Sequence, residues 1–467
     1  MNKSIQLLLG AGLFVSLGYQ SVFAQNKGGI TPDMMNKIRT SYQETPSNRA
    51  LGNAIRNVSI KSIAKNKDGH VNLDNFFSDE VKSKGITNQR SSGRCWLFSG
   101  LNVLRAKMIA KNNLNTFTFS QAYPFFYDQL EKSNLFLQGI IDTRDQSMDD
   151  KMVEWLFKHP LSDGGQFTGV SDLLSKYGVV PSEVMPETYS TDNTSTMARL
   201  ISLKLKEYAL ELRQMAQDKK SMNAIEARKT AMLGVVYKML VLNIGEPPTH
   251  FTYTLRDAEG KVISTEEYTP KSFFDKWIGE DLTEDYVMLM NDPTRDFGQL
   301  YEIDYDRHVY DGHNWTYVNL PIDQIKKMAI ASIKDHSMMY FSCDVGKAFS
   351  REEGTLDLSN YNYGDLFGVE FGMDKRQRIA TFSSGSSHAM TLMAVNLVDG
   401  KPNKWKVENS WGEGPNAGHL ILSDEWFDAY MFRLVVNKKY ITEETKSILK
   451  QKPIRLPAWD PMFADEK

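Results

Sequence analysis

The chain has 467 residues, of which 41% are hydrophobic and 24% are charged, and its formal net charge is -3 at pH 7. This is the composition of an ordinary globular protein with enough apolar material for a large core. The length predicts roughly two or three domains. The net charge argues against a protein that binds nucleic acid through bulk positive charge, although it does not describe how charge is distributed over the surface.

The first 24 residues have the pattern of a secretory signal peptide. A short basic start at residues 1–3 precedes an apolar run over residues 5–17, and Val-Phe-Ala at residues 22–24 fits the small-x-small rule for cleavage before Gln25. The run is shorter than the roughly 20 residues that span a bilayer, and no second run of this kind follows. We therefore expect a signal peptide over residues 1–24 and a soluble mature chain that is exported, periplasmic or extracellular. The alternative is an N-terminal anchor helix that is never cleaved.

The chain contains two cysteines, Cys95 and Cys343. An exported protein is located where disulfides persist, but one bridge in a chain of this length is not a disulfide framework. If the two cysteines were paired, Cys95 would not be available as a nucleophile. A catalytic interpretation therefore requires Cys95 to be a thiol, whereas Cys343 is interpreted as a small buried apolar residue.

Two regions of the chain have helical periodicity. A helix is predicted directly after Cys95, because apolar side chains recur there at i, i+4, i+7 and i+11 and form one helix face: Leu97, Leu101, Leu104 and Met108. The second region covers about residues 197–245 and is stopped by Gly-Glu-Pro-Pro at residues 245–248. Residues 249–320 are predicted to form short strands separated by turns.

Two β-strands joined by a turn are predicted nearer the C-terminus. Residues 388–395 follow a strand pattern, residues 404–409 alternate charged and apolar side chains, and Asp-Gly at residues 399–400 is typical of a turn. The alternation places the side chains on two faces of the strand. The face predicted to be buried carries Trp405, Val407 and Asn409, and the face predicted to be exposed carries Lys404, Lys406 and Glu408. Folding the two strands as a hairpin brings Asn409 within a few residues of His388.

These residues fit the requirements of cysteine catalysis, which needs a thiolate, a base that also returns a proton, and donors for an oxyanion. Aligned backbone dipoles at a helix N-terminus favour the thiolate form of Cys95. His388 is predicted to be the base, and Asn409 is predicted to orient its imidazole. Gln89 lies in a Gly- and Ser-rich loop just before Cys95, and its amide is predicted to donate to the oxyanion together with the backbone N–H of Cys95.

Four short segments occur in a recognisable order along the chain. They are Asn-Gln-Arg-Ser-Ser-Gly-Arg-Cys-Trp at residues 88–96, Asp-Gly-Gly-Gln at 163–166, His-Ala-Met at 388–390 and Glu-Asn-Ser-Trp-Gly at 408–412. The first resembles the nucleophile segment of papain-like cysteine peptidases, and its Gly-Arg-Cys-Trp form is similar to the bleomycin hydrolase and aminopeptidase C family. The other three resemble the glycine, histidine and asparagine segments of that family. The resemblance runs from about residue 60 to the C-terminus.

The resemblance implies an α+β fold with a papain-like two-lobed core, in which a helical lobe and a β-barrel-like lobe enclose a cleft. It implies a single peptidase domain over residues 25–467, with a helical insertion at about residues 197–245, that assembles as a homohexamer. The catalytic residues it implies are Cys95, His388, Asn409 and Gln89. The substrate-binding residues it implies are Gly164 and Gly165, whose bare backbone can hydrogen-bond an extended peptide, together with Trp411 and Lys467.

The C-terminal tail, residues 457–467, bears on which peptide bond is cut. Trp-Asp-Pro-Met at residues 459–462 resembles the terminal motif of the family. The resemblance implies that the tail runs into the active site. It also implies that the terminal carboxylate, here that of Lys467, meets the free amino group of the substrate. This implies an aminopeptidase, a thiol-dependent exopeptidase that acts through a Cys95 acyl-enzyme. The tail departs from the small residues of the family pattern at three positions: Phe463, Asp465 and Glu466. Endopeptidase and dipeptidyl peptidase activities on the same scaffold are therefore alternatives.

Other kinds of functional site have little support in the sequence. It contains no His-Glu-x-x-His run and no phosphate-binding glycine loop, so neither a metal nor a cofactor is expected. His308 and His313 have acidic neighbours, but Tyr310 and Trp315 around them indicate a packed β region. The expected partners are peptide substrates and further copies of the chain, rather than a membrane or nucleic acid. The remaining alternative is a non-catalytic binding or assembly protein on the same scaffold, one that binds nucleic acid through a basic channel.

Overall fold

The structure, a computed structural model, describes residues 28–67 and 73–462. The chain divides into two units, residues 1–63 and residues 64–467. The predicted signal peptide over residues 1–24 lies outside the described residues. In the described ranges no helix has both the length and the hydropathy of a transmembrane span.

The α-helices are numbered in chain order: α1 Pro32–Ser41, α2 Pro46–Asn57, α3 Ile60–Ala64, α4 Cys95–Asn112, α5 Ala122–Asp142, α6 Lys151–Lys158, α7 Phe167–Tyr177, α8 Tyr189–Asp192, α9 Ser195–Gln217, α10 Met222–Ile244, α11 Pro270–Trp277, α12 Ile322–Lys334, α13 Tyr363–Phe367, α14 Lys375–Ala380, α15 Asp424–Tyr430 and α16 Glu443–Ile448.

The β-strands are numbered in the same way: β1 Asp79–Glu80, β2 Phe251–Arg256, β3 Val262–Tyr268, β4 Tyr286–Met290, β5 Gln299–Ile303, β6 Thr316–Asn319, β7 Met339–Cys343, β8 Phe349–Ser350, β9 Thr355–Leu356, β10 His388–Val398, β11 Lys401–Glu408, β12 His419–Ser423, β13 Met431–Asn437 and β14 Ile454–Leu456.

The first unit contains two helices, α1 and α2, that were not predicted from the sequence. Each begins after a threonine whose hydroxyl accepts a hydrogen bond from a backbone N–H three residues later, Thr31 from Met34 and Thr45 from Asn48. A proline follows each threonine at the start of the helix, where its missing N–H is not needed. No residue of either helix is buried, so capping and local sequence define these helices rather than a core.

The helical lobe of the second unit contains α4, the helix predicted beside Cys95. The helix begins at Cys95 itself and is followed by Asn113, whose φ of 49° is left-handed. Nearly every residue of α4 as far as Ile109 is buried, so the helix is surrounded by core rather than exposed on one face as the periodicity suggested. Helices α5 and α7 pack against each other, and α7 packs against α4.

The helical region predicted at about residues 197–245 is confirmed as two helices, α9 and α10. The hydroxyl of Ser221 caps α10, and Gly245 ends it with a φ of 99°. Both helices contact each other and α5. The region is therefore packed onto the helical lobe.

The second lobe is built on one mixed sheet with the strand order β14-β5-β6-β4-β13-β7-β10-β11-β12-β9-β8, to which β1 adds by pairing with β10. Strand β10 pairs antiparallel with β7 on one side and with β11 on the other. In this register His388 lies opposite Cys343 of β7. The first residue of β10 is therefore in the interior of the sheet.

The predicted hairpin is confirmed as β10 and β11. Asp399 and Gly400 connect the strands with φ angles of 50° and 76°, the left-handed backbone that a two-residue hairpin turn of this kind requires. Thr391 lies opposite Glu408, so the residue after Glu408 comes close to the start of β10.

The prediction that Lys404 and Glu408 face solvent is wrong. Both side chains are buried, with residue exposures of 2% and 1%. The ammonium of Lys404 binds the carboxylate of Asp74 at 2.5 Å, and Glu408 pairs with Arg105 of α4. The alternating pattern failed as a guide because each buried charge has a partner that is distant in the sequence.

Candidate active site

Cys95 is the first residue of α4 and is fully buried. The backbone N–H of Ala389, the second residue of β10, donates a hydrogen bond to its Sγ at 3.4 Å. A hydrogen-bond donor and the positive end of a helix of 18 residues both favour a negatively charged sulfur. Cys95 and Cys343 are both present as thiols, which the catalytic interpretation requires, and Cys343 is buried as predicted.

His388 and Asn409 meet as the hairpin predicted. Nε2 of His388 lies 2.8 Å from Oδ1 of Asn409, and both residues are buried. The same Oδ1 accepts from the backbone N–H of Ser410 at 2.8 Å, so this atom is the amide oxygen and Nε2 must be the protonated nitrogen. The hydrogen bond therefore leaves Nδ1 as the imidazole nitrogen that can exchange a proton with a nucleophile.

Trp411, predicted to bind substrate, packs against His388, the predicted base. Its ring lies 4.8 Å from the imidazole of His388, centroid to centroid, with an angle of 31° between the planes. Phe349 and the guanidinium of Arg351 contact the indole of Trp411 in turn. The indole thus packs on the imidazole from one side, and its contact with substrate stays a prediction.

Gln89 connects the loop before Cys95 to the loop after Asn409. Its side-chain oxygen accepts from the hydroxyl of Ser410 at 2.6 Å, and its backbone N–H donates to the carbonyl of Ser410 at 2.8 Å. Its amide nitrogen donates to the carbonyl of Ser92 at 2.7 Å. An amide nitrogen carries two hydrogens, so one remains for an oxyanion, and the predicted role of Gln89 stays a prediction.

The predicted glycine segment lies directly beside the nucleophile loop. The carboxylate of Asp163 accepts from the backbone N–H of Gly93 at 2.7 Å, and its carbonyl accepts from the indole N–H of Trp96 at 2.9 Å. A Cβ on Gly93 would lie 2.4 Å from a carboxylate oxygen of Asp163. Gly93 is therefore required by the close approach of Asp163. We refer to residues 162–165, the stretch that contains Asp163 and the two predicted substrate-binding glycines, as the 162–165 segment.

The two predicted substrate-binding glycines of this segment differ in their surroundings. The N–H of Gly164 donates to the hydroxyl of Ser162 at 3.0 Å, and its carbonyl accepts from Lys132. A Cβ on Gly165 would lie 2.2 Å from the ring of His308. Packing against His308 thus explains the glycine at 165, whereas the bonds of Gly164 are backbone bonds that do not require a glycine. The contact of both glycines with an extended peptide stays a prediction.

The C-terminal tail is anchored as far as Met462. Asp460 pairs with Arg295, the carbonyl of Met462 accepts from Arg433, and both Asp460 and Met462 are buried. Residues 463–467, including the predicted substrate-binding residue Lys467, lie outside the described residues. The prediction that the tail reaches the active site therefore stays a prediction.

Sequence reasoning missed the ion pair between Arg105 and Glu408. Arg105 lies on the helix that begins with Cys95, and Glu408 directly precedes Asn409. The guanidinium and carboxylate are 2.5 Å apart, and their side chains are 1% and 0% exposed. The only signal was an arginine in an otherwise apolar stretch of α4, between Leu104 and Ala106.

His308 is buried, but the side chain of His313 is 64% exposed and neither histidine lies in a strand, so the interpretation of a packed β region is wrong for His313. Each histidine binds an acid. Nδ1 of His308 lies 2.6 Å from Asp128, and Nδ1 of His313 lies 2.7 Å from Asp172. Across residues 28–67 and 73–462, no cluster of three or more His, Cys, Asp or Glu side chains is arranged to hold a metal ion.

Replacing the three central residues one at a time is expected to separate their roles. Cys95→Ser abolishes hydrolysis of an aminoacyl reporter without lowering Tm appreciably, because a hydroxyl does not ionise as readily as a thiol. His388→Ala lowers kcat by roughly 10²–10⁴-fold, and Asn409→Ala lowers it by a smaller factor, since Asn409 orients the ring but transfers no proton. Steady-state kinetics and thermal unfolding measure these effects.

The chain's other cysteine supplies the control for this series. Cys343→Ala retains the activity and the alkylation of Cys95, because Cys343 is interpreted as a packing residue. A larger loss from Asn409→Ala than from His388→Ala contradicts the assigned roles.

Known proteins resemble this chain over most of its length. The model of the Peptidase C1-like family matches residues 29–463. Aminopeptidase C of Lactobacillus delbrueckii subsp. lactis is 36% identical over 441 residues, which cover 93% of this chain and 98% of that protein. Bleomycin hydrolase of Homo sapiens is 38% identical over 393 residues, which cover 82% of this chain and 86% of that protein.

A solved structure agrees with these sequence relatives. The crystal structure of PepW from Lactobacillus rhamnosis HN001 matches with a TM-score of 0.90 and 39% sequence identity, and the match covers 94% of this chain and 99% of that one. The predicted α+β, papain-like fold class is thereby confirmed. The chain belongs to the Peptidase C1-like family and is a cysteine peptidase.

Proposed function

We propose that this protein is a thiol-dependent aminopeptidase, with Cys95 as nucleophile and His388 as general base and acid. The observation that carries the proposal is the 2.8 Å bond between His388 and Asn409, formed where β10 begins and next to the helix that begins with Cys95. The N–H of Ala389, the residue after His388, contacts the sulfur itself. Aminopeptidase C and bleomycin hydrolase, the names of the relatives, agree with this assignment.

The reaction proceeds in two steps on these groups. The thiolate of Cys95 attacks the carbonyl carbon of the peptide bond, the C–N bond breaks, and the departing amine takes the proton held on Nδ1 of His388. Water then gives a proton to the same nitrogen and attacks the thioester, the C–S bond breaks, and the carboxylic acid product leaves. The backbone N–H of Cys95 and the amide of Gln89 are proposed to stabilise the oxyanion of both steps.

Selectivity for a free N-terminus is proposed to come from the terminal carboxylate of Lys467. We expect the full chain to cleave an aminoacyl reporter at least about tenfold faster than its N-acetylated form, because acetylation removes the cation that the carboxylate attracts. Truncation after Met462 moves the terminal carboxylate five residues back, to a buried residue whose carbonyl is bound by Arg433, and is expected to reduce this ratio. Relative kcat/KM for the two reporters is the measurement.

The control for the truncation is Lys467→Ala, which keeps the chain length and the terminal carboxylate and so retains the selectivity. Equal cleavage of both reporters by the full chain contradicts a strict aminopeptidase and favours an endopeptidase. Cleavage of a dipeptidyl reporter in preference to the aminoacyl one favours a dipeptidyl peptidase.

We also propose that the chain is exported and that the signal peptide over residues 1–24 is removed. The basic start, the apolar run and the Val-Phe-Ala site support this. Fractionation of the native cells is expected to place the activity outside the cytoplasm, on a chain whose N-terminal sequence begins at Gln25. Deletion of residues 2–24 is the matched control and should retain the activity in the cytosol. Activity confined to the cytosol, on a chain that retains residues 2–24, contradicts the proposal.

A homohexamer is proposed as the assembly. Large apolar side chains are exposed on the second unit, with Leu242 at 75%, Phe371 at 72% and Phe382 at 78%, and association between copies would remove such surface from water. The number of copies comes from the family resemblance, and six copies can form a closed symmetric oligomer. Light scattering of the mature chain is expected to give a mass about six times that of one chain. A monomer at micromolar concentration contradicts this assembly.

A further inference from the structure

Lys132 of helix α5 lies behind the 162–165 segment. Its side chain is 11% exposed, and its ammonium donates to the carbonyl oxygens of Ser162 at 3.1 Å and Gly164 at 2.5 Å. It also pairs with the carboxylate of Asp128, one helical turn earlier, at 3.1 Å. An ammonium carries three hydrogens, so these three acceptors match its bonding capacity.

Asp128 extends this contact to His308. The Asp128 side chain is fully buried, and one of its oxygens lies 2.6 Å from Nδ1 of His308 while the other faces Lys132. Burial alone raises the pKa of Asp128, but Lys132 and His308 hold that pKa below its usual value. The carboxylate is therefore ionised near neutral pH and is shared by the two side chains.

His308 occupies space that two glycines leave open. A Cβ on Gly165 would lie 2.2 Å from its ring, and a Cβ on Gly169 would lie 2.3 Å from it. The imidazole also packs edge-on against Trp96, with 4.6 Å between ring centroids. Because Trp96 directly follows Cys95, this buried network reaches the immediate neighbour of the nucleophile.

We propose that Lys132 is a positioning residue that holds the 162–165 segment at the distance from Cys95 that a bound substrate requires. It acts through the carbonyls of Ser162 and Gly164 and does not contact the reacting atoms. The inference rests on the proposed function, since this geometry affects binding only if Cys95 attacks a peptide held beside it.

The ammonium group of a lysine, rather than any cation, is needed at this position because of how its hydrogen-bond acceptors are arranged. Three acceptors converge on the ammonium nitrogen of Lys132, namely the Asp128 carboxylate and the carbonyls of Ser162 and Gly164. The carbonyl of Ser162 also accepts from the amide of Gln129 at 3.0 Å, so the carbonyl of the buried Gly164 is the one that depends on Lys132, and leaving it without a donor is unfavourable. Methionine has a similar length but no donor. Arginine keeps the charge, but its planar fork does not match three acceptors around a single nitrogen.

The test compares Lys132→Met with Lys158→Met. Both lysines line a cavity of about 330 Å³ beside the 162–165 segment, but the ammonium of Lys158 pairs with Glu154 at the surface, and its side chain is 65% exposed. The measurements are kcat and KM for an aminoacyl reporter, the rate of Cys95 alkylation by iodoacetamide, and Tm. Iodoacetamide is small and reports on the thiolate without needing the 162–165 segment.

Lys132→Met is expected to raise KM by about tenfold with a much smaller change in kcat, the size expected when hydrogen bonds to a charged donor are lost. Cys95 alkylation stays near the wild-type rate, and Lys158→Met behaves as wild type. A KM equal to that of Lys158→Met overturns the proposal. Equal losses of kcat and alkylation rate without a change in KM also overturn it, because they indicate damage to the nucleophile.

Lys132→Arg decides the question if the methionine variant does not fold. If Lys132→Arg raises KM by about threefold or more, but by less than Lys132→Met is expected to, the result supports positioning by hydrogen bonds that converge on one nitrogen. A wild-type KM for Lys132→Arg refutes it. Absence of activity in the wild-type chain is a separate outcome, because it overturns the proposed function itself and not the role of Lys132 alone.

Discussion

The relative placement of the proposed catalytic residues depends on the buried ion pair between Arg105 and Glu408. Arg105 is on the helix that begins with Cys95, and Glu408 is the last residue of β11, directly before Asn409. The hydroxyl of Ser83 donates to the second carboxylate oxygen at 2.6 Å, so the carboxylate is bound on both oxygens. Breaking such a pair leaves a buried charge at a cost of about 3–5 kcal/mol. The pair therefore fixes the helix that carries the sulfur against the strand that positions the orienting amide.

Hydrogen bonds between loops add a second constraint around the same point. Gln89 is bound to Ser410 through both its side chain and its backbone, so the loop that precedes the nucleophile and the loop that follows Asn409 cannot move separately. On the opposite side, Asp163 binds the N–H of Gly93 and Lys132 binds the carbonyls around it. The surroundings of Cys95 are thus built largely from backbone groups held by buried side chains, which favours a rigid, preorganised site.

The parts of the site that could be predicted from the sequence are those with a local signal. Periodicity within a few residues predicts the helix at Cys95. Turn chemistry predicts the turn at Asp399 and Gly400, and that turn brings Asn409 close to His388. The exposed face predicted for β11 failed because Glu408 meets a residue 303 positions away. Lys132 carries no recognisable pattern, since its acceptors are backbone carbonyls that any residue type supplies. The caps of α1 and α2 were visible in the sequence, but this stretch mixes polar residues with short apolar ones and was not interpreted as helical.

The hairpin of β10 and β11 has a mechanical consequence. His388 begins β10 and Asn409 directly follows β11, the two strands of one hairpin closed by a two-residue turn, whereas Cys95 belongs to a helix of the other lobe. A displacement of α4 that broke the pair between Arg105 and Glu408 would change the distance between sulfur and imidazole but leave the bond between imidazole and amide intact. The tautomer of His388 is thus set within the sheet alone and does not depend on the position of the helix.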